Sequence, residues 1–198
     1  MTEPTRRTVA VAGHSGDIDT ARSGLRSPDA TVRSTALGAL ERLGVLTDSD
    51  LVDHLRDDDT RVRRRAAEVA ATHPDVDLVD ALSDGDPNVV ETAAWACGEH
   101  ESNRRAVLDR LIELTTDAEE PLVREAAVAA LGAIGDSAAV DAIITATTDK
   151  PAVRRRAVLA LAPFDGDAVD AAIDRALDDR DWQVRQSAED LRRAQAAD

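Results

Sequence analysis

Apolar positions along this chain recur as helical stripes, and one stripe is written more cleanly than the rest. In Glu120 to Gly135, EPLVREAAVAALGAIG, residues Val123, Ala127, Ala130, Leu131 and Ile134 fall at i, i+4, i+7, i+8 and i+11. That is one buried face of a helix. Pro121 stands where a first helical residue tolerates a missing N–H, Glu120 precedes it, and Gly132 and Gly135 are candidate stops. The pattern predicts a helix of about four turns.

Five other segments repeat this plan. Each is anchored by a valine, namely Val32, Val62, Val89, Val153 and Val184, with alanine four residues later in every copy: Ala36, Ala66, Ala93, Ala157 and Ala188. Counting Val123, successive valines are 30, 27, 34, 30 and 31 residues apart, a period that signals a solenoid of stacked repeats. The methyl of the alanine is what a closely packed neighbouring helix leaves room for. An acidic residue three positions before the valine (Asp29, Asp59, Asp86, Glu120, Asp181) can cap the helix, and only Lys150 departs.

Between these helices lie shorter apolar patterns. They are Ile18 to Leu25, Leu51 to Leu55, Val79 to Leu82, Leu108 to Ile112, Val140 to Ile144 and Val169 to Ile173. Each is read as an amphipathic helix that cannot bury its stripe alone, so consecutive pairs must stack. Residues 1–16 fit no repeat and are expected to be a flexible tail or a small cap, leaving residues 17–198 as one repeat domain. Gly13-His14-Ser15-Gly16 approaches a nucleophile elbow, but Asp17 stands where its last glycine is required. In the last unit Glu189, Arg192 and Arg193 replace apolar residues of earlier units, as a terminal repeat facing water needs.

The pattern D-x-x-V-R-x-x-A, recurring six times with variations, resembles the HEAT repeat, specifically the short variety of phycobilin lyases. The resemblance covers about residues 17–198. It implies an all-α, right-handed α-solenoid of about six helical hairpins, and it implies a ladder between repeats built from the turn Asp and the Arg after the valine. Here the arginines are Arg33, Arg63, Arg124, Arg154 and Arg185, with Val90 in the remaining copy. Asp57, Asp84 and Asp179, five residues before their valines, match the ladder aspartate; Ser27, Ala118 and Thr148 hold that place elsewhere, so the ladder is expected to have gaps.

Composition narrows the function. Aromatic residues are 2% of the chain, so the core is built from Ala, Val, Leu and Ile, and small side chains bring helices close. The 39 acidic residues outnumber 24 basic ones for a net charge of −15, which repels nucleic acid and anionic membranes unless basic residues gather on one face. Lys150 is the only lysine. This acidic, nearly lysine-free composition resembles that of cytoplasmic proteins of extreme halophiles. Cys97 is the only cysteine, so no intrachain disulfide forms. No signal peptide or apolar span of bilayer length is visible, and a cytoplasmic location is the expectation.

Candidate chemistry is sparse. Some HEAT proteins, the deoxyhypusine hydroxylases, hold a di-iron site on several His-Glu pairs; this chain has only His100-Glu101, with His73 at the equivalent helix end one unit earlier, and the set is incomplete. A bilin lyase activity rests on repeat resemblance alone, without a converging nucleophile and base. No cofactor is expected. The arginines at 61, 63–65 and 154–156 pair with surrounding carboxylates in the simpler reading, rather than with nucleic acid.

The exposed face of the second helices is more informative. Six residues after the valine stand Trp95, Ala129 and Leu159 in three consecutive units, an apolar strip flanked by Arg64, Glu91, Glu125 and Arg155. An aromatic anchor with charged rims suits a peptide or partner helix, provided that Trp95 presents its ring rather than leaning on the seam between repeats. Trp182 replaces the turn proline of the last unit and is a second contact or a lid on the core. The expectation is a non-catalytic scaffold that binds a protein or peptide on the concave face.

Overall fold

A computed structural model describes residues 3–100 and 105–196. Those residues form twelve α-helices and no strand. In chain order the helices are α1 (Arg6–Ser15), α2 (Ile18–Gly24), α3 (Ala30–Arg42), α4 (Asp48–His54), α5 (Thr60–Ala70), α6 (Pro87–Gly98), α7 (Arg105–Asp117), α8 (Pro121–Ile134), α9 (Val140–Ala146), α10 (Pro151–Ala160), α11 (Asp167–Leu177) and α12 (Trp182–Gln195).

Contacts group the chain into two compact units, Met1–Ala96 and Cys97–Asp198. In the first, α1 lies on α2 and α3, α2 on α3, α3 on α5, and α4 on α5. In the second, α7 packs on α8 and α9, α8 on α10, α9 and α11 on α10, and α12 on α10 and α11. Helices thus stack as hairpins, the helices that carry the anchor valines packed on each other as α3 on α5, α8 on α10 and α10 on α12, which is the plan of an α-solenoid.

The sequence dictates this locally. All six anchor valines and all six alanines that follow them are buried. A valine and an alanine one turn apart form a narrow ridge, and a narrow ridge lets neighbouring helix axes approach toward the short end of the usual 8–10 Å. Gly132 takes the approach further. A Cβ there would stand 2.7 Å from the Ala160 Cα, so α8 and α10 touch backbone to backbone at this point. Gly132 is therefore an interior packing residue and not a stop; Gly135 ends α8 with φ 70°, in the left-handed region that glycine enters most easily. Helix starts follow the acidic caps: Asp29, Asp59, Asp86 and Asp181 each accept from the backbone N–H two residues on. Glu120 makes no such bond, and Pro121 at the first turn supplies the start of α8 instead.

Two further expectations are corrected. Val79 to Leu82 is not a helix: a 3-10 turn at Ala81–Ser83 takes its place. The connection is not too short, since the α8–α10 connection is of the same length and holds α9; local turn chemistry takes the segment instead. Pro74 and the Asp77 side chain, which accepts from the Val79 N–H, commit the segment to turns. It still buries Val76, Leu78 and Leu82, so it does a helix's packing with only a single turn of backbone bonds, such as Leu82 N–H to the Leu78 oxygen at 2.9 Å. The second correction concerns the inter-repeat ladder and follows below.

Arg6–Ser15, in the segment expected to be a tail or a cap, forms α1. Thr5 and Thr8 make a reciprocal capping box, Val9 and Ala12 are buried, and Gly13 meets Ala39 at a distance no side chain would allow. At the other end, Arg192 stands eight residues after its valine, where Leu131 and Leu161 are buried in earlier repeats. It binds Asp170 at 2.6 Å and Asp174 at 2.5 Å on α11, so charge replaces burial on the terminal helix.

Candidate partner-binding site

The arginines after the anchor valines are taken up by structure. Arg33 grips Asp57 with Nε at 2.7 Å and Nη2 at 2.6 Å, and Arg63 grips Asp84 at 2.7 and 3.0 Å. In the second unit Arg154 grips Asp179 at 2.8 and 2.7 Å. A gap is expected at Thr148, yet Arg124 is also paired, with Asp149 at 2.9 Å. Asp149 lies one residue later than the register of the other aspartates, and a long guanidinium absorbs that shift. Each arginine also donates Nη1 to a carbonyl at the start of its own turn, for example Arg63 to the Asp57 oxygen. Among the described residues Arg185 keeps this bond alone, to the Asp179 oxygen.

The aspartates are equally double-jointed. Asp57, Asp84 and Asp179 each accept from the backbone N–H two residues on, closing their own turn while holding the preceding repeat. Ser27, with no preceding ladder arginine, retains the turn bond alone through its hydroxyl. Burial is the largest single influence on the Asp57 and Asp84 carboxyls and pushes them up, but the hydrogen bonds from Arg33 and Arg63, the backbone N–H groups of Asp59 and Asp86 and the arginine charges together outweigh it and leave both below the usual carboxylate range. For Asp149 and Asp179 the arginine hydrogen bond is the leading cause and points the same way. Arg154 is 4% exposed. None of the paired arginines and aspartates is free to meet a partner.

The face of the long helices is different. In the first unit Trp95 is 46% exposed on α6, one turn beyond the half-buried Glu91, and Arg64 is exposed on α5. The ring of Trp95 is thus presented. An earlier counterpart on the same helix position is closed: Arg65, paired with Glu68 at 2.9 Å, lies across Gly38.

In the second unit the equivalent position is open. A groove of about 520 Å³ runs between α8 and α10, lined by Ala129, Gly132, Ala133, Arg156, Leu159 and Pro163 among others. The structure therefore brings Ala129 and Leu159 together, and Leu159 is 41% exposed. Glu125 reaches the groove through Arg156, 3.6 Å away, whereas half-buried Arg155 and Trp182 (65% exposed) are not part of its lining. Sequence reasoning missed Gly132, Ala133, Arg156 and Pro163. The signal was present: small residues or proline stand nine and ten positions after the valine in two adjacent repeats, which leaves a trough beside the close α8–α10 contact.

The metal candidates are otherwise occupied or outside the described residues. Both ring nitrogens of His73 meet carboxylates, Nε2 with Glu41 at 2.9 Å and Nδ1 with Asp48 at 2.8 Å. Burial opposes the imidazolium, but these two bonds prevail and raise its pKa above the ordinary value. His100 is buried, and Glu101 lies outside the described residues. Among the described residues no group of three or more His, Cys, Asp or Glu is arranged to hold a metal, and no helix is long and apolar enough to cross a membrane.

Comparison with known proteins bears on the fold. No curated protein matches the sequence. Among solved structures, a designed armadillo repeat protein in complex with the peptide (KR)4 superposes with a TM-score of 0.67 at 20% identity, covering 90% of this chain and 99% of that one. An engineered protein reaches 0.67 at 22% identity over 88% and 96% of the two chains. Computationally designed armadillo repeat proteins for modular peptide recognition reach 0.60 at 20% identity over 96% and 99%. At such identities the likeness concerns the fold. The family profile of HEAT repeats matches residues 49–132, 76–162 and 108–192, together more than half of the sequence, and the chain belongs to the HEAT-repeat family.

Proposed function

We propose that this protein is a non-catalytic scaffold or adaptor that binds a protein or peptide partner on the exposed face of its long helices. The observation that carries the reading is the open α8–α10 groove, which holds Leu159 exposed above a floor of Ala129, Gly132 and Ala133. An unfilled apolar trough with charged residues at its margin is the form that partner-binding sites take. The exposed ring of Trp95 offers an aromatic anchor of the type that dominates interface energetics. Glu91 and Arg64 in the first unit, and Glu125, Arg155 and Trp182 in the second, supply polar rim and additional contact. Designed armadillo neighbours made for peptide recognition are consistent with such a use of stacked helices. In this reading the repeats are of the short phycobilin-lyase type, the acidic composition is an adaptation to a salty cytoplasm, and no cofactor takes part.

The test is recovery of partners from a high-salt extract of the source cells with the wild type, Trp95→Ala and Leu159→Asp. Loss of the same partner with both substitutions is expected. Equal recovery of every protein by all three would overturn the assignment of this face.

A further inference from the structure

Two arginines two residues apart on α10 have opposite fates. Arg154 is buried and held by both oxygens of Asp179 at 2.7 and 2.8 Å. Arg156 lines the groove, its side chain 38% exposed, and its one ion pair among the described residues is a long contact of Nη2 with Glu125 at 3.6 Å. Its Nε is shut off from solvent and has no hydrogen-bond partner. A guanidinium offers five N–H donors in a fixed fork that matches a carboxylate. The fork of Arg154 is filled in that way, and the fork of Arg156 is not.

Position matters as much as charge. Arg156 and Leu159 are three residues apart on one helix, so their side chains emerge as neighbours about 5–6 Å apart. Beneath them the groove floor is made of alanine and glycine, with no acidic side chain in its lining. On a chain with net charge −15, the floor and the wall of this groove present apolar surface and one underused cation.

We infer that the α8–α10 groove takes a partner segment carrying a large aliphatic side chain and a Glu or Asp about one helical turn away, the carboxylate displacing Glu125 from Arg156 while the aliphatic group packs on Leu159 and the glycine-alanine floor. This rests on the proposed partner-binding role and adds the chemistry of the partner. The occupant is an acidic-apolar segment of another protein, not a basic one. Salt separates the two: a cationic peptide drawn to the −15 surface loses affinity as salt screens the long-range field, whereas an acidic-apolar segment is relieved of repulsion.

The experiment uses the full chain and three short Ala-rich helical peptides with one Leu and, one turn away, Glu, Gln or Lys, titrated by fluorescence anisotropy at about 0.15 M and about 1 M salt. The Glu peptide should bind about fivefold tighter than the Gln peptide, the value of a well-placed exposed ion pair. The Lys peptide should bind weakest. Arg156→Gln should erase the Glu-over-Gln difference without changing the affinity for the Gln peptide, with the helical circular dichroism unchanged. Tightest binding of the Lys peptide, a Glu preference that survives Arg156→Gln, or no binding of any peptide would overturn the inference. Binding that Leu159→Ala weakens for all three peptides while Arg156→Gln changes none would sink this inference and leave the partner-binding role standing. The role itself fails if Leu159→Ala weakens no peptide and partner recovery ignores Leu159→Asp.

Discussion

Single residues here are best understood by what they are already bound to. Arg61 and Arg154 are both paired with aspartate, Arg61 with Asp59 at 2.8 Å and Arg154 with Asp179 at 2.7 Å, yet the first pair lies on the surface and the second beneath it. The Arg61 guanidinium holds the Asp59 carboxyl down to about 2, but exposed pairs contribute little to stability because water and salt screen them. Removing Arg154 leaves Asp179 charged and mostly buried without its partner. Arg154→Ala is therefore expected to lower unfolding stability by about 3 kcal/mol, and Arg61→Ala to leave the urea midpoint in place; similar shifts for the two would contradict this division. His73 behaves in the opposite sense. Its folded pKa is raised above the unfolded value near 6.5. The stability it contributes is fully present below that value and is lost as pH rises through the folded pKa. Melting temperatures measured across neutral pH should fall on going alkaline, and His73→Gln should flatten that part of the profile.

At the scale of elements, the helix packing is set by what is absent from side chains. Alanine favours a helix interior over glycine by about 1 kcal/mol, so Gly132→Ala ought to stabilise α8 considered alone. In the folded chain the added methyl would meet the Ala160 Cβ at 2.6 Å, against backbone that cannot turn aside. The clash wins: Gly132→Ala is expected to cost about 1–3 kcal/mol, read from chemical denaturation, and to narrow or deform the groove beside it. A more stable variant would show that α8 and α10 are less tightly apposed. The repeat of valine and alanine made all six long helices legible in the sequence, because burial of one ridge per repeat has a strict spacing. The segment at Ala81–Ser83 was not legible as a turn, since Val79, Ala81 and Leu82 carry the apolar content of a helix and only the local turn chemistry around Pro74 and Asp77 speaks against one. Asp149 escaped for a related reason: sequence register is counted in residues, whereas Arg124 spans the distance in space. The groove was half visible. Ala129 and Leu159 follow from counting along helices, but Gly132, Arg156 and Pro163 join them only because adjacent helices come so close.

For the whole molecule the governing quantity is charge, and two effects of acid oppose each other. With 39 acidic and 24 basic residues, neutral pH leaves many carboxylates repelling one another across the surface. Acidification toward the ordinary carboxylate range of about 4 removes charge and relieves that repulsion. The ladder carboxylates Asp57, Asp84, Asp149 and Asp179 titrate later, since their folded pKa values lie below the ordinary 3.8. Their contribution is present above 3.8 and is lost as pH falls through the folded values. Stability at low salt should consequently rise as pH falls into the carboxylate range of about 4 and collapse below about 3.8. Salt acts on only one of the two effects. At about 1 M the Debye length shrinks to about 3 Å from about 10 Å at 0.1 M, which screens surface repulsion but reaches the buried ladder pairs far less. Added salt should thus raise the melting temperature at pH 7 and remove most of the gain on mild acidification, while leaving the acid collapse where it was. Calorimetric melts of the His73→Gln protein, which lacks the separate histidine contribution, isolate the comparison. A melting temperature at pH 7 that is indifferent to salt would mean that the −15 charge is balanced locally by the arginine pairs, and that the acidic surface does not limit the stability of the fold.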